Sequence, residues 1–349
     1  MTKVTAAGAT EWQGGDLRAL GARAYLDLGT CINRYGPPTS VGSALRAVDI
    51  RSLRAHPYDA EELFVSAYAE YLGADGGELV AGRGITEFIR LLSAHFPTRS
   101  TAVVTPDYTD SIRWITNHVG PDAGVPETAE TRAARVAYAM RHYECVLLSN
   151  PNNPLGLYVP SEELAAICRD NPRSTLIVDE AYIDFADGGS QRSMIWSGLG
   201  NVVVLLSPNK LFGIAGTRTG VMWTPDAGLR AAIRARQLNW SISCLDALVA
   251  AEALRNLGWV AHSRSRLSAT ANRMEALLRT RYPGVVTGVP VHYRFVYTED
   301  AEREHERLLR HGVVVRVFSG AQPGRVSGLR ITAPTEAEYP VLAAALRGD

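Results

Sequence analysis

Short apolar runs recur through the middle of the chain, each closed by turn-forming residues: Thr101 to Thr105, Cys145 to Leu148, Thr175 to Val178 and Asn201 to Leu206. Runs of this length without polar alternation read as strands buried on both faces. Leu79 to Ala81 and Gly220 to Trp223 add two more. Between them the spacing turns helical, as in Glu61 to Leu72, where Leu63, Ala67 and Tyr71 share a face, and in Pro160 to Cys168, which opens on proline and two glutamates. Strands alternating with helices over residues 79 to 223 predict a mostly parallel sheet covered on both sides.

Before this region, Ser43 to Val48 reads as a short helix, and residues 1 to 24, rich in Gly and Ala, read as an arm or short helix near an interface. Residues from Pro121 to Thr131 carry little pattern. Beyond it, Leu245 to Leu254 and Arg264 to Leu278 are helical, with Gly258 as a candidate break, and they lead the chain into a different unit. There Pro290 to Tyr297, Val313 to Val317 and Gly328 to Thr332 read as strands, and Glu302 to Gly312 and Glu336 to Leu346 as helices. The division expected is a large domain over residues 40–250 and a smaller α+β domain built from 1–39 and 251–349.

Composition narrows the class. With 349 residues, 46% of them hydrophobic, the chain can bury more than one core. Its 36 basic and 36 acidic side chains cancel, so no charge field points to nucleic acid. No apolar run approaches a membrane span. The four cysteines, Cys31, Cys145, Cys168 and Cys244, are far apart and form no metal or disulfide pattern, which suits a reducing, cytoplasmic setting.

The chemistry centres on Ser207 to Gly220. Lys210 follows the Asn201–Leu206 strand, at the end where open α/β sheets place ligands, and Arg218 comes eight residues later among glycines. Lysine forms Schiff bases with carbonyl compounds and arginine forks onto phosphate oxygens, so the two suit a molecule carrying an aldehyde and a phosphate. Pyridoxal 5′-phosphate is such a molecule. Upstream, Asp179 ends another strand with Tyr182 three residues on. A carboxylate beside a pyridine nitrogen keeps it protonated, and a phenol tunes the imine.

With these residues the chain resembles the fold-type I pyridoxal-phosphate enzymes of the class I/II aminotransferase family, over most of its length. The resemblance implies a three-layer α/β large domain like that of aspartate aminotransferase, a small domain, and a homodimer. It is nearest to histidinol-phosphate aminotransferases and the related threonine-phosphate decarboxylases. Onto the family pattern fall Gly84, Ile85 and Thr86 as a phosphate cup at a helix start, Tyr108 as the residue stacked on the ring, and Asn153, in Asn-Pro-Leu-Gly, as donor to the ring hydroxyl. Ser207 stands for a serine that usually lies directly before the lysine, where this chain has Asn209. Tyr58, in His56-Pro57-Tyr58, corresponds to a tyrosine reaching the partner subunit's cofactor phosphate. For substrate, Arg330 matches the arginine that grips an α-carboxylate. Arg316 matches one near the mouth, though a solvated strand-end charge accounts for it equally. Arg34 and Tyr35 lie in the segment that lines the substrate site, with Arg34 replacing a proline and Leu155 a threonine.

The function implied is transamination of a small amino acid or amino-alcohol phosphate, with Lys210 moving the proton. Two other outcomes share the scaffold. One is a cyclase or lyase acting on a hydroxylated amino acid such as hydroxyarginine, or a decarboxylase, with Asp107, Asp110 and Arg34 near the mouth to receive a guanidinium. The other is a non-catalytic cofactor-binding module. No metal site is expected.

Overall fold

A computed structural model describes residues 17–20, 25–122, 125, 127–321 and 324–348. Apart from 17–20, the arm expected over residues 1–24 lies outside the described residues. Among the described residues twelve strands are present: β1 (Leu26–Asp27), β2 (Leu79–Gly82), β3 (Thr101–Val104), β4 (Asn117–Val119), β5 (Cys145–Ser149), β6 (Thr175–Asp179), β7 (Val202–Leu206), β8 (Gly220–Trp223), β9 (Tyr293–Tyr297), β10 (Val313–Val314), β11 (Arg316–Phe318) and β12 (Gly328–Thr332). Seven form one sheet in the order β2-β8-β7-β6-β5-β3-β4. All pairings in it are parallel except those of β8, which runs against both β2 and β7.

The period-two alternation of strand side chains explains the three layers. Val80, Val103, Leu147, Ile177, Val203, Leu205 and Met222 enter one core with Phe88, Ile89 and Leu92 of the helix Ile85–His95. Their neighbours Leu79, Val146, Leu148, Val178, Val204, Leu206 and Val221 enter the opposite core, shared with the helices Ala60–Leu72, Ala129–His142, Ser161–Asp170 and Cys244–Leu254. Each fully buried aliphatic or aromatic side chain contributes roughly 1.5–3 kcal/mol.

A separate core gathers Leu28, Met274, Leu278, Val296, Leu308, Val313, Leu329, Ile331 and Leu342. It lies around the antiparallel sheet β11-β12-β9 and the helices Leu257–Arg279, Ala301–Arg310 and Tyr339–Arg347. The strand expected over Val313 to Val317 divides at Val315: Val313 and Val314 pair in parallel with β1, while Arg316–Phe318 pairs with β12. The helical break falls at Arg255 and Asn256, before Gly258, where Asn256 Nδ2 donates to the Glu252 carbonyl at 2.6 Å and to Ser40 Oγ at 3.0 Å. The helix Ala129–His142 begins in the stretch that shows little pattern, and it opens on a capping box between Thr128 and Thr131.

The segment after β1 joins the two regions. Leu28 N–H donates to the Val314 carbonyl, Thr332 N–H donates to the Leu28 carbonyl, and Asn33 N–H donates to the Lys210 carbonyl at 2.8 Å. Gly213 lets that last approach happen. Its φ is +65° and a Cβ there would stand 3.0 Å from the Asn33 carbonyl oxygen.

Candidate functional site

Parallel strands end at one edge of their sheet, and the chemistry-bearing residues collect there. Tyr108 follows β3, Ser149 and Asn153 follow from β5, Asp179 ends β6, Ser207 and Lys210 follow β7, and Gly84 to Thr86 follow β2. Because β8 is antiparallel, its amino end reaches the same edge and brings Arg218 with it. These residues line one cavity of about 100 Å³. Lys210, Tyr108, Asn153 and Tyr182 also line an adjoining chamber of about 140 Å³, whose other walls include Cys31, Arg316, Phe318 and Arg330.

In the first cavity Gly84 sits at φ +80° and opens the helix Ile85–His95; a Cβ on it would stand 3.3 Å from Arg218 Nη2. The glycine thus lets a guanidinium close over a helix amino terminus, an arrangement that attracts phosphate. Ser207 Oγ donates to the Thr219 carbonyl at 2.8 Å, and Asn209 holds Thr217 and Thr219 through its side-chain amide, so the lysine loop is braced from within. Tyr108 donates to Asp110 at 2.9 Å, and burial together with Asp110 pushes its phenol up to about 12.

The titratable groups are strongly displaced. Burial pushes the Asp179 carboxyl up to about 7, against the Ala181 N–H that donates to its Oδ1 at 2.9 Å and the nearby Lys210. Burial also lowers the Lys210 amine, helped by Arg330 and Arg218. Burial raises the Tyr182 phenol, whose ring lies 5.1 Å from Tyr293. A carboxylate this costly to ionise is suited to a cationic partner such as a pyridinium. The free amine, the anion cradle and the carboxylate fit pyridoxal phosphate.

In the second chamber Arg330 donates to Asn153 Oδ1 at 2.5 Å and to the Gly29 carbonyl at 3.2 Å, and its Nε has no partner. Arg316 Nη1 is likewise buried without a partner, and burial plus the Arg330 charge push Arg316 down to about 10. Among the described residues no carboxylate pairs with either guanidinium. Both cations lie near the Phe318 ring, at 5.6 and 5.7 Å from its centre. The solvated strand-end reading of Arg316 fails on this burial.

Three expected residues stand elsewhere. Arg34 is bound by Glu338 and donates to the Asp27 carbonyl. Tyr35 donates to Glu336 at 2.7 Å under the Arg266 guanidinium. Both therefore serve the packing of the entering segment and line neither cavity. Tyr58 is 70% exposed, beside His56 and Trp240, outside the cleft of its own chain. The acids thought to receive a guanidinium are also engaged: Asp107 is buried against Arg132 at 2.8 Å, and Asp110 accepts from Tyr108. That removes the feature favouring a cyclase.

Sequence reasoning missed Cys31, Phe318 and Ser149 as wall residues. It also missed a usable signal: the chain has only two lysines, Lys3 and Lys210, so an ε-amine in the described site can come from one position.

The family described as "Aminotransferase class I and II" matches residues 23–346. Among curated relatives, the histidinol-phosphate aminotransferase of Granulibacter bethesdensis is 27% identical, over 96% of this chain and 92% of that protein. Among solved structures, the histidinol-phosphate aminotransferase of Clostridium acetobutylicum superposes with a TM-score of 0.80 at 21% identity, covering 93% of this chain and 98% of that one. The Sinorhizobium meliloti enzyme in complex with pyridoxal 5′-phosphate gives 0.80 at 23%, covering 95% and 92%.

Proposed function

We infer that this chain, which belongs to the aminotransferase class I and II family and is a pyridoxal-phosphate-dependent transaminase, exchanges an amino group between an amino acid and a phosphorylated amine of the histidinol-phosphate type. The observation that carries the substrate reading is the pair Arg316 and Arg330, two buried guanidiniums without a counter-ion in the chamber shared with Lys210. A phosphate dianion can satisfy both forks. A dicarboxylic amino acid brings the same two charges, so one chamber can serve both half-reactions. The relatives' names supply the identity of the amine.

Bound pyridoxal phosphate supplies an aldehyde that condenses with amines and a protonated ring that draws electrons from the substrate α-carbon. The chain's part is to bind, orient and move a proton. The Lys210 amine, disfavoured as a cation by its surroundings, is suited to take the proton from Cα and return it. Asp179 would keep the ring nitrogen charged, Tyr108 would cover one ring face and exclude water, and Asn153 and Tyr182 would address the ring hydroxyl. The Ile85 and Thr86 N–H groups beside Gly84, with Ser207 and Arg218, would hold the phosphate. For an amino-acid donor, Arg330 fixes the carboxylate so that Cα loses its proton and keeps its carboxylate.

We take residues 40–250 as the large domain and 1–39 with 251–349 as the small one, with the cleft between them. We also read the protein as a homodimer. His56 stacks on Trp240 at 4.0 Å, Tyr58 meets Trp240 edge-on, and Leu238 and Ile50 are more than 70% exposed. An exposed apolar cluster of this kind suits a subunit contact, from which Tyr58 would reach the partner's cofactor phosphate. All four thiols are free, which supports a cytoplasmic site, and no described helix is long and apolar enough to cross a membrane.

The test is to mix purified protein with histidinol phosphate and 2-oxoglutarate and measure glutamate. Stoichiometric glutamate supports the reading. Turnover of ordinary amino acids with none of histidinol phosphate would replace the substrate, and product without glutamate would replace the reaction class.

A further inference from the structure

Cys31 lines the substrate chamber beside Lys210, Arg316 and Arg330, and the transamination reading gives it no task. Only 2% of the residue is exposed, so a reagent reaches the sulfur by entering the chamber. Its Sγ lies 3.1 Å from Thr332 Oγ1. The Thr332 hydroxyl also lies 3.4 Å from the Thr30 carbonyl, so either the thiol or the hydroxyl can donate in the first contact.

A cysteine alone marks no site. Here the walls around it are built for anions. Arg330 and Arg316 are 8% and 7% exposed, each keeps a buried nitrogen without a partner, and no acidic side chain lines the chamber. Buried guanidiniums without a counter-ion are costly, so an anion of matching size is drawn in.

We propose that Cys31 is a covalent modification site, alkylated selectively by small anionic electrophiles such as α-halo carboxylates. The arginines hold the carboxylate, and the halide-bearing carbon next to it is presented to Sγ. A C–S bond forms as the carbon–halogen bond breaks; the halide leaves with the electron pair and the thiol proton passes to water. The other cysteines lack this setting. Cys145 lies in β5 and Cys168 on the helix Ser161–Asp170, where burial raises both thiols, Cys168 to about 12, and Cys244 is half-buried at a helix start. The inference shares the arginine pair with the substrate reading and needs no turnover.

The experiment treats the holoenzyme with iodoacetate or iodoacetamide in parallel, and follows each cysteine by peptide mass. Iodoacetate should label Cys31 about tenfold or more faster than iodoacetamide, the concentrating effect of a charged pocket. Inorganic phosphate should slow only the iodoacetate reaction, and Arg316→Gln should narrow the preference. Equal rates, faster labelling by iodoacetamide, or labelling of Cys244 while Cys31 stays intact overturns the proposal. Labelled Cys31 without histidinol-phosphate turnover sinks the substrate reading alone; turnover without labelling sinks this inference alone.

Discussion

Replacing Asp179 by asparagine should have opposite effects on the free and the cofactor-loaded protein. In the free protein burial raises this carboxyl from 3.8 to about 7, a difference worth about 4 kcal/mol. The sign follows from linkage. A carboxyl whose folded value exceeds its unfolded one contributes stability that is full below pH ~4 and is lost as pH rises through ~7, because the fold then has to carry a buried anion. The asparagine keeps an oxygen for the Ala181 N–H and removes the anion. Cofactor-free Asp179→Asn should therefore match the wild type near pH 4 and exceed it at pH 8, by about 4 kcal/mol at most. Glu180, raised to about 8 by burial, is present in both proteins and cancels in the difference. With cofactor bound the substitution should do the reverse, since a buried cationic ring would lose its partner. That loss is roughly 3–5 kcal/mol, or about 10²- to 10⁴-fold in kcat. Urea unfolding of the free protein across pH, together with cofactor titration by visible absorbance, measures both. Identical pH profiles for the two free proteins would refute the buried-anion argument, and an unchanged kcat would remove Asp179 from the ring nitrogen.

Further outcomes follow from the same geometry. Lys210→Ala should purify without the visible band of lysine-bound cofactor; since Lys3 is the only other lysine, a persisting band would have to come from the amino-terminal segment. Arg330→Gln should raise KM for histidinol phosphate by about 10- to 100-fold, from the loss of one charged hydrogen-bonding fork worth ~1.5–3 kcal/mol, and an unchanged KM would place the phosphate elsewhere. Arg132→Met should destabilise the protein by about 3–5 kcal/mol, because it leaves Asp107 buried and unpaired; a loss under about 1 kcal/mol in denaturant unfolding would contradict that pairing. Tyr58→Phe should weaken cofactor binding if subunits share the site, and Trp240→Asp should shift the protein toward monomer in sedimentation; a wild-type monomer would remove both expectations.

Much of the site was legible because strand ends announce themselves locally. Lys210, Asp179 and Asn153 each follow a continuous apolar run, and the runs are long enough to read without their neighbours. Arg34, Tyr35 and Asp107 misled for the opposite reason. Their partners, Glu338, Glu336 and Arg132, are 304, 301 and 25 residues away, and nothing in a short window says that a polar side chain will be engaged there. The helix Ala129–His142 escaped notice altogether because Arg132 occupies its buried face among small alanines, which breaks the apolar stripe.

The linear chain by itself determined most strands, though not β1 or β4, placed a lysine and an aspartate at strand ends, and so pointed to the class of cofactor, because hydrophobic periodicity and the residue types at strand ends are local properties. Folding decided which of those residues meet. The reversal of β8 carries Arg218 to the shared edge, and the hydrogen bonds from Asn33 and to Leu28 seat Cys31 between the lysine loop and β12. Strand direction and long-range pairing depend on the free energy of the whole packed assembly, so the two uncompensated arginines of the chamber became visible only in three dimensions.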